Sequence, residues 1–146
     1  MSAAPESLSP RQDQEARSSA LAALGPVTHD VLRIGAALLM IPHGAQKLFG
    51  VLGKEAVPLF SQYGFAGSVE FFGGILIALG LATRPASALL CLVMLAAYFV
   101  GHAGQNPWPI LNKGELALLY ALIFAFFAAN GAGRWSLDAW LRRRSR

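Results

Sequence analysis

Charged residues are scarce in this sequence, with 12 basic and 8 acidic side chains among 146 residues, or 14%. Soluble domains carry about 25% charged residues. Hydrophobic residues make up 55% of the chain and are grouped into long runs, whereas a soluble core needs them interleaved with polar ones. The low charge therefore excludes an ordinary soluble domain and indicates a chain embedded in a lipid bilayer.

Cysteine is almost absent as well. The one cysteine, Cys91, cannot form a disulfide within the chain, which excludes internal dithiol chemistry, and a lone thiol in an apolar run is usually a packing residue. The sequence also lacks a glycine-rich loop of the kind that binds the phosphates of flavins, nicotinamides or nucleotides. Any electron donor to this chain must therefore be another protein or a membrane-soluble carrier.

Four apolar runs are long enough to cross a membrane, at about residues 27–49, 66–83, 85–103 and 115–130. A hydrocarbon core of about 30 Å needs roughly 20 helical residues, with about 17 to 25 tolerated. Thr28 or Asp30 is a suitable N-cap for the first run. The very short turn at residues 83–85 makes the second and third runs an antiparallel hairpin. The predicted fold class is therefore all-α, an integral membrane antiparallel four-helix bundle.

The segments that flank these runs are predicted to be cytoplasmic tails. Residues 1–26 are rich in Ser, Pro, Gln and Ala, which predicts a disordered or loosely helical tail. Residues 132–146 form a basic amphipathic tail, in which Leu137, Trp140 and Leu141 make one apolar stripe and four arginines follow. This pattern favours a short helix on an anionic lipid surface, with binding to a partner protein as the alternative.

The basic residues also predict the topology. The three lysines lie on one side of the four runs, whereas the nine arginines lie in the two tails, at the start of the first run and in the turn after the second. By the positive-inside rule, both termini are cytoplasmic in a multi-pass protein of the bacterial inner membrane. The net charge of +4 is therefore a topology signal, and nucleic acid is not an expected partner.

Polar residues from all four spans are expected to meet in the outer half of the bilayer. Ionisable residues in membrane helices usually face the interior of the bundle, because exposure to lipid costs several kcal/mol. With alternating helix directions, the predicted cluster contains His43, Gln46, Lys47, Glu70, His102 and Glu115.

Three members of this cluster also have simpler explanations. Lys47 lies near a helix end, where a long side chain can extend to the membrane surface. Glu115 begins a helix, where a negative charge favours the helix dipole. His102 suits a hydrogen-bonded position at the interface. His43 and Glu70 are harder to explain in this way, because each interrupts an apolar run.

The residue types favour proton exchange with a quinone over metal or haem binding. A histidine and a carboxylate near the membrane surface suit a ring that gains and loses protons with its electrons. The Glu-x-x-His pairs of di-iron bundles are absent, and His43 with His102 match a haem ligand pair only by their depth. We therefore predict His43 and Glu70 as catalytic residues and no metal ligands. The predicted quinone-binding residues are Gln46, Lys47, His102 and Glu115.

The chain resembles the DoxX family of small four-span membrane proteins. The resemblance covers about residues 30–141 and rests on "PHGAQKLFG", "VEFFGGILIALGLATRPAS", "NKGELALLYALIF" and "GAGRWSLDAW" in this order. It implies a membrane oxidoreductase subunit, since some relatives are linked to quinone-coupled thiosulfate oxidation and others to a membrane complex that handles oxidative stress. The positions to which the family's motifs transfer are His43, Lys47, Glu70, Asn112, Glu115 and Asp138.

Two functions remain open at this point. The first is a redox subunit that acts with a quinone or a protein redox partner. The second is a non-catalytic scaffold or assembly partner of a redox or stress complex, in which the polar cluster only holds the helices together. A solute conduit ranks last, because the inner halves of the spans read as apolar. The sequence is compatible with a homo-oligomer and does not determine the oligomeric state.

Overall fold

The computed structural model describes residues 9–144 of the chain. Within this range all regular secondary structure is helical and no strand is present, which confirms the all-α prediction. The six helices are α1 (Pro10–Phe49), α2 (Gln62–Leu79), α3 (Thr83–Gly101), α4 (Pro109–Asn112), α5 (Glu115–Asn130) and α6 (Leu137–Arg144).

Helix α1 begins well before the predicted first span. Ser9 caps it by accepting a hydrogen bond from the Gln12 backbone, and the Gln12 side chain bonds back to the Ser9 backbone. The predicted cap at Thr28 or Asp30 is therefore wrong. The Thr28 hydroxyl instead donates to carbonyls of the preceding helical turn, and Asp30 is buried. The helix ends at Gly50, whose φ of 63° is a left-handed conformation that favours glycine.

The helices have the length and surface of membrane helices. By length and composition, α1, α2 and α3 can each cross a bilayer, and α5 is an apolar helix of 16 residues. Contiguous apolar surface on this scale is unusual for a soluble monomer and is typical of contact with lipid. Large apolar side chains that are more than half exposed include Leu39, Phe72, Leu92, Phe99 and Leu122.

The long helices pack as two pairs. Helix α1 packs along α2 and α3 packs along α5, while contacts between α2 and α3 join the pairs. Helices α1 and α5 barely touch each other. The core between the helices contains Ala37, Met40, Ile77, Leu90 and Phe124.

Glycines let α1 and α2 approach closely. A Cβ atom built on Gly44 would clash with the backbone nitrogen of Phe71 and would lie 2.6 Å from the carbonyl oxygen of Gly67. On the other helix, a Cβ atom on Gly74 would lie 2.8 Å from the Ile41 side chain. Small residues at such crossings let van der Waals contacts hold helices together in lipid.

Gly44→Ala is therefore expected to destabilise the protein by roughly 2 kcal/mol, because the added methyl group meets backbone atoms that cannot move aside. Gly35 lies in the same helix with nothing within 4 Å of a built Cβ atom, so it provides the control. Gly35→Ala should stabilise α1 by up to about 1 kcal/mol. Unfolding of both variants in detergent measures the difference, and equal stabilities would contradict the close approach of α1 and α2.

Helix α6 is fastened to the turn between α2 and α3. The Asp138 carboxylate accepts hydrogen bonds from the backbone nitrogens of Ala82 (3.0 Å) and Thr83 (3.2 Å), which caps α3. The Asp138 backbone nitrogen donates to the Gly80 carbonyl at 3.0 Å. Ser136 caps the start of α6, because its hydroxyl oxygen accepts from the Ala139 nitrogen at 3.1 Å.

We call this end of the helices, with residues 80–82 and 131–144, the tail end. The opposite end, with residues 50–61 and 102–114, is the loop end.

Candidate functional site

A cavity of about 280 Å³ lies between the long helices near the loop end. All four contribute to it, because α1, α2, α3 and α5 each supply at least one side chain. Its lining consists of Met40, His43, Lys47, Glu70, Met94, Ala97, His102, Lys113, Leu116, Ala117 and Tyr120.

Lys47 and Glu70 form an ion pair in the wall of this cavity. Both carboxylate oxygens of Glu70 accept hydrogen bonds from the Lys47 ammonium group, although the two residues are 23 positions apart. Glu70 is only 1% exposed, so Lys47 takes the place of water as the partner of its carboxylate. An ammonium group has three N–H donors, which leaves one donor beyond the two that bind Glu70.

The loop before α5 orients His102. Its Nδ1 atom lies 2.9 Å from the Asn112 carbonyl oxygen. Since a carbonyl only accepts, Nδ1 carries the hydrogen, and Nε2 of the neutral ring is an acceptor. The buried Asn112 side chain donates to the Asn106 carbonyl and accepts from the Gly114 nitrogen, both at 2.8 Å. Asn112, one of the positions that the resemblance implies, therefore positions His102.

His43 and Tyr120 face each other where α1 and α5 barely touch. Their rings meet edge to face with centroids 6.1 Å apart, and Tyr120 also stacks on Phe124. Both residues line the cavity, and Tyr120 is buried whereas His43 is exposed. Tyr120 and Lys113 also line the cavity and were not predicted as site residues. The signal for Tyr120 was a hydroxyl group in an otherwise apolar span.

The structure brings together four of the six predicted site residues, namely His43, Lys47, Glu70 and His102. Gln46 and Glu115 do not line the cavity: the Gln46 side chain lies 3.4 Å from the Leu52 carbonyl, and Glu115 is exposed in the first turn of α5. Neighbouring positions on a helix point about 100° apart. Each of these two side chains therefore turns away from the adjacent residue that does line the cavity.

The described residues contain no group of three or more His, Cys, Asp or Glu side chains that could hold a metal ion. In the cavity, both carboxylate oxygens of Glu70 are already bound to Lys47.

A second buried polar cluster lies near the tail end. Arg33 is 0% exposed and donates to two carbonyls at the end of α2 and to the Trp135 carbonyl. The Asp30 carboxylate accepts from the backbone nitrogens of Arg134 (3.2 Å) and Trp135 (3.1 Å). The interpretation of the inner halves as apolar was therefore wrong. These charged groups bind backbone atoms and fasten α1 to α2 and to the segment after α5.

These features define a helical membrane protein with a polar cavity among apolar helices. The family model named DoxX matches residues 29–103, which is half of the chain, so the chain belongs to the DoxX family. The expected resemblance is thus confirmed.

Three relatives from bacteria cover most of the chain. An uncharacterized protein of Haemophilus influenzae is 41% identical over 117 residues, which is 73% of this chain and 85% of that protein. An uncharacterized membrane protein of Mycobacterium tuberculosis is 30% identical over 86% of this chain and 88% of its own length. A Bacillus subtilis protein named "Putative oxidoreductase CatD" is 27% identical over 74% of this chain and 82% of its own length. No solved structure matches the chain.

Proposed function

We propose that this protein is a redox subunit of the bacterial inner membrane that binds a quinone in the loop-end cavity. The observation that carries the proposal is the shared cavity itself, in which His43, His102 and the Lys47–Glu70 pair line one space of about 280 Å³. Membership of the DoxX family and similarity to a protein named as an oxidoreductase support a redox role.

We further propose that α1, α2, α3 and α5 form an antiparallel four-helix bundle with both termini in the cytoplasm. The arginines of the tails and of the α2–α3 turn belong to the tail end, whereas Lys47, Lys54 and Lys113 belong to the loop end. The positive-inside rule then orients the tail end toward the cytoplasm. The cavity would open near the extracytoplasmic surface.

The chemistry of the cavity fits a quinone. The two ring oxygens of a quinone accept hydrogen bonds, and the remaining Lys47 donor and an N–H of His43 suit them. Nε2 of His102 suits a quinol hydroxyl, which donates. A volume of about 280 Å³ is at the small end of ligand pockets, which suits one substituted ring and is too small for a haem macrocycle.

The roles of the two predicted catalytic residues follow from their exposure. A bound quinone takes up two electrons and two protons when it is reduced to a quinol. His43 is exposed at the cavity opening and exchanges protons with the surroundings. Glu70 is buried against Lys47, and a proton on its carboxyl group would leave the Lys47 charge to be balanced by the negative charge of the reduced ring. Together they would carry protons between the ring and the membrane surface.

The opening of the cavity favours a carrier that arrives from the lipid. We place the opening at the seam between α1 and α5, because these helices barely touch and the lining residues His43 and Leu116 are exposed there, Leu116 to 50%. A quinone could insert its ring through this seam and leave its apolar tail in the bilayer. The electron donor would be a partner protein or a second membrane-soluble carrier.

His43→Ala is expected to weaken binding of a short-chain ubiquinone by about tenfold, or about 1.4 kcal/mol, because the ring oxygen loses a donor. Calorimetric titration of the protein in nonionic detergent measures the affinity. Gln46→Ala is the matched control, since Gln46 lies one turn further along α1 and does not line the cavity. Equal loss in both variants, or no binding by the unchanged protein, would refute the quinone site.

A scaffold function is the second candidate, and α6 with the residues before it favours this function, because Trp135 is more than half exposed and Trp140 and Leu141 are almost half exposed. A scaffold predicts no quinone binding and loss of co-purifying partners when residues 135–146 are deleted. A redox subunit predicts that cavity variants lose quinone binding while the same partners are still recovered. The two functions are therefore separable in one set of preparations.

A further inference from the structure

A second cavity, of about 450 Å³, lies at the tail end, opposite the proposed quinone site. It is formed by the start of α3, the end of α5 with the following glycine-rich segment, and one face of α6. None of its lining residues lines the loop-end cavity, and its existence does not depend on the proposed function.

The charges that line this cavity favour an anion. Arg84 at the start of α3 and Arg142 on α6 come from different elements and line the same space. Asp138 also lines it, but both of its carboxylate oxygens accept from backbone nitrogens at the start of α3. The lining therefore contains two positively charged guanidinium groups and one carboxylate, and the carboxylate is already hydrogen-bonded to backbone nitrogens. Guanidinium groups pair with phosphate oxygens more strongly than neutral donors do.

An unused donor accompanies these charges. Thr83 lines the cavity, is 1% exposed, and its hydroxyl group has no hydrogen-bond partner among residues 9–144. A buried hydroxyl without a partner is unfavourable and uncommon in a folded protein. The hydroxyl oxygen itself is enclosed, so the Thr83 side chain would have to rotate for a phosphate oxygen in the cavity to supply the missing acceptor. Gly131 adds space beside Arg84, since a Cβ atom there would lie 3.2 Å from the Arg84 Nε atom.

The surroundings point to a lipid as the source of the phosphate. Trp140 and Leu141 on α6 are almost half exposed, and the Arg144 guanidinium lies 4.0 Å from the centre of the Trp140 ring. Leu89, almost two helical turns after the start of α3, is also exposed. An anionic headgroup at the arginines would therefore have apolar surface beside it for its acyl chains.

We propose that the tail-end cavity binds the phosphate group of an anionic ligand, with a phospholipid headgroup as the source. Arg84 and Arg142 pair with the phosphate, and the Thr83 hydroxyl donates to one of its oxygens. An occupied site would hold α6 against the start of α3.

The test titrates phosphatidylglycerol into the full-length protein in nonionic detergent and counts bound lipid by native mass spectrometry. Arg84→Gln is expected to weaken binding at least tenfold. The control is Arg134→Gln, an exposed arginine of the same end that does not line the cavity. This control is expected to change affinity less than about fivefold, the effect of one surface charge. Equal losses in the two variants would indicate diffuse surface attraction and overturn the proposal, as would no binding by the unchanged protein.

Thr83→Val provides a second variant that conserves size. It removes a buried hydroxyl without a protein partner, so it should fold and melt at the same or a higher temperature without lipid. Its affinity for phosphatidylglycerol is expected to fall several-fold. Unchanged affinity would show that the Thr83 hydroxyl does not bind the phosphate.

Inorganic phosphate and glycerol phosphate distinguish the two sources. Failure of both to compete at millimolar concentration supports a lipid, whereas competition that Arg84→Gln abolishes supports a soluble phosphate at the same site.

Discussion

Glu70→Gln is expected to lower the free energy of unfolding in detergent by roughly 3 kcal/mol and to abolish quinone binding. The glutamine cannot balance the Lys47 charge, which is largely enclosed by the cavity wall. The pair links α1 to α2, so its loss also weakens the packing of α1, the helix that carries His43 into the cavity wall. Chemical unfolding in detergent measures stability, and titration with short-chain ubiquinone measures binding.

The double variant Lys47→Met/Glu70→Leu separates structure from chemistry. Replacing both partners of a buried ion pair by apolar side chains of similar size is often neutral or stabilising. Stability should therefore return to within about 1 kcal/mol of the unchanged protein. Quinone binding should remain absent, because the donor and the proton-carrying group are both gone. Recovery of stability together with quinone binding would show that the pair is only structural.

A matched control is available in the exposed loop after α1. Lys54→Met/Glu55→Leu removes the same two charges from residues that the structure leaves exposed. This variant should change neither stability nor quinone affinity, since exposed charges contribute little. A similar loss in both double variants would mean that the effect comes from overall charge and not from the cavity.

Arg33→Met is expected to be the most destabilising single substitution at the tail end, at about 4 kcal/mol or more. The variant loses charge-assisted hydrogen bonds to two carbonyls at the end of α2 and to the Trp135 carbonyl. It also leaves the buried carboxylate of Asp30 without its cationic neighbour, 3.8 Å away. The folded fraction after extraction in mild detergent, followed by thermal unfolding, measures the effect.

Two comparisons sharpen this second prediction. Arg134→Met is the control, because the exposed Arg134 side chain is replaced while its backbone bond to Asp30 remains. Arg33→Lys should recover only part of the stability, because a lysine cannot reproduce the planar array of guanidinium donors. Unchanged stability of Arg33→Met would contradict the assignment of Arg33 as the link between α1, α2 and the segment before α6.

Much of the fold could be predicted because a bilayer imposes a length on apolar helices. The predicted span at residues 115–130 has the bounds of α5, and the predicted hairpin appears as α2 and α3. Its turn lies at residues 80–82, so the predicted turn at residues 83–85 was wrong, because those residues form the first turn of α3. The start of α1 could not be predicted in this way. Its first part carries no apolar run, and it depends on the local cap at Ser9.

The candidate site was predicted in part for the same reason. The sequence by itself determined an all-helical membrane protein and predicted that His43, Glu70 and His102 lie at similar heights along the helices, because this height follows from the position of a residue within its helix. Only the tertiary structure decided which side chains share a space. Rotation of each helix about its axis depends on packing, such as the contact of Gly44 with α2. This packing pairs Lys47 with Glu70 and turns Glu115 outward, because neighbouring helical positions differ by about 100°.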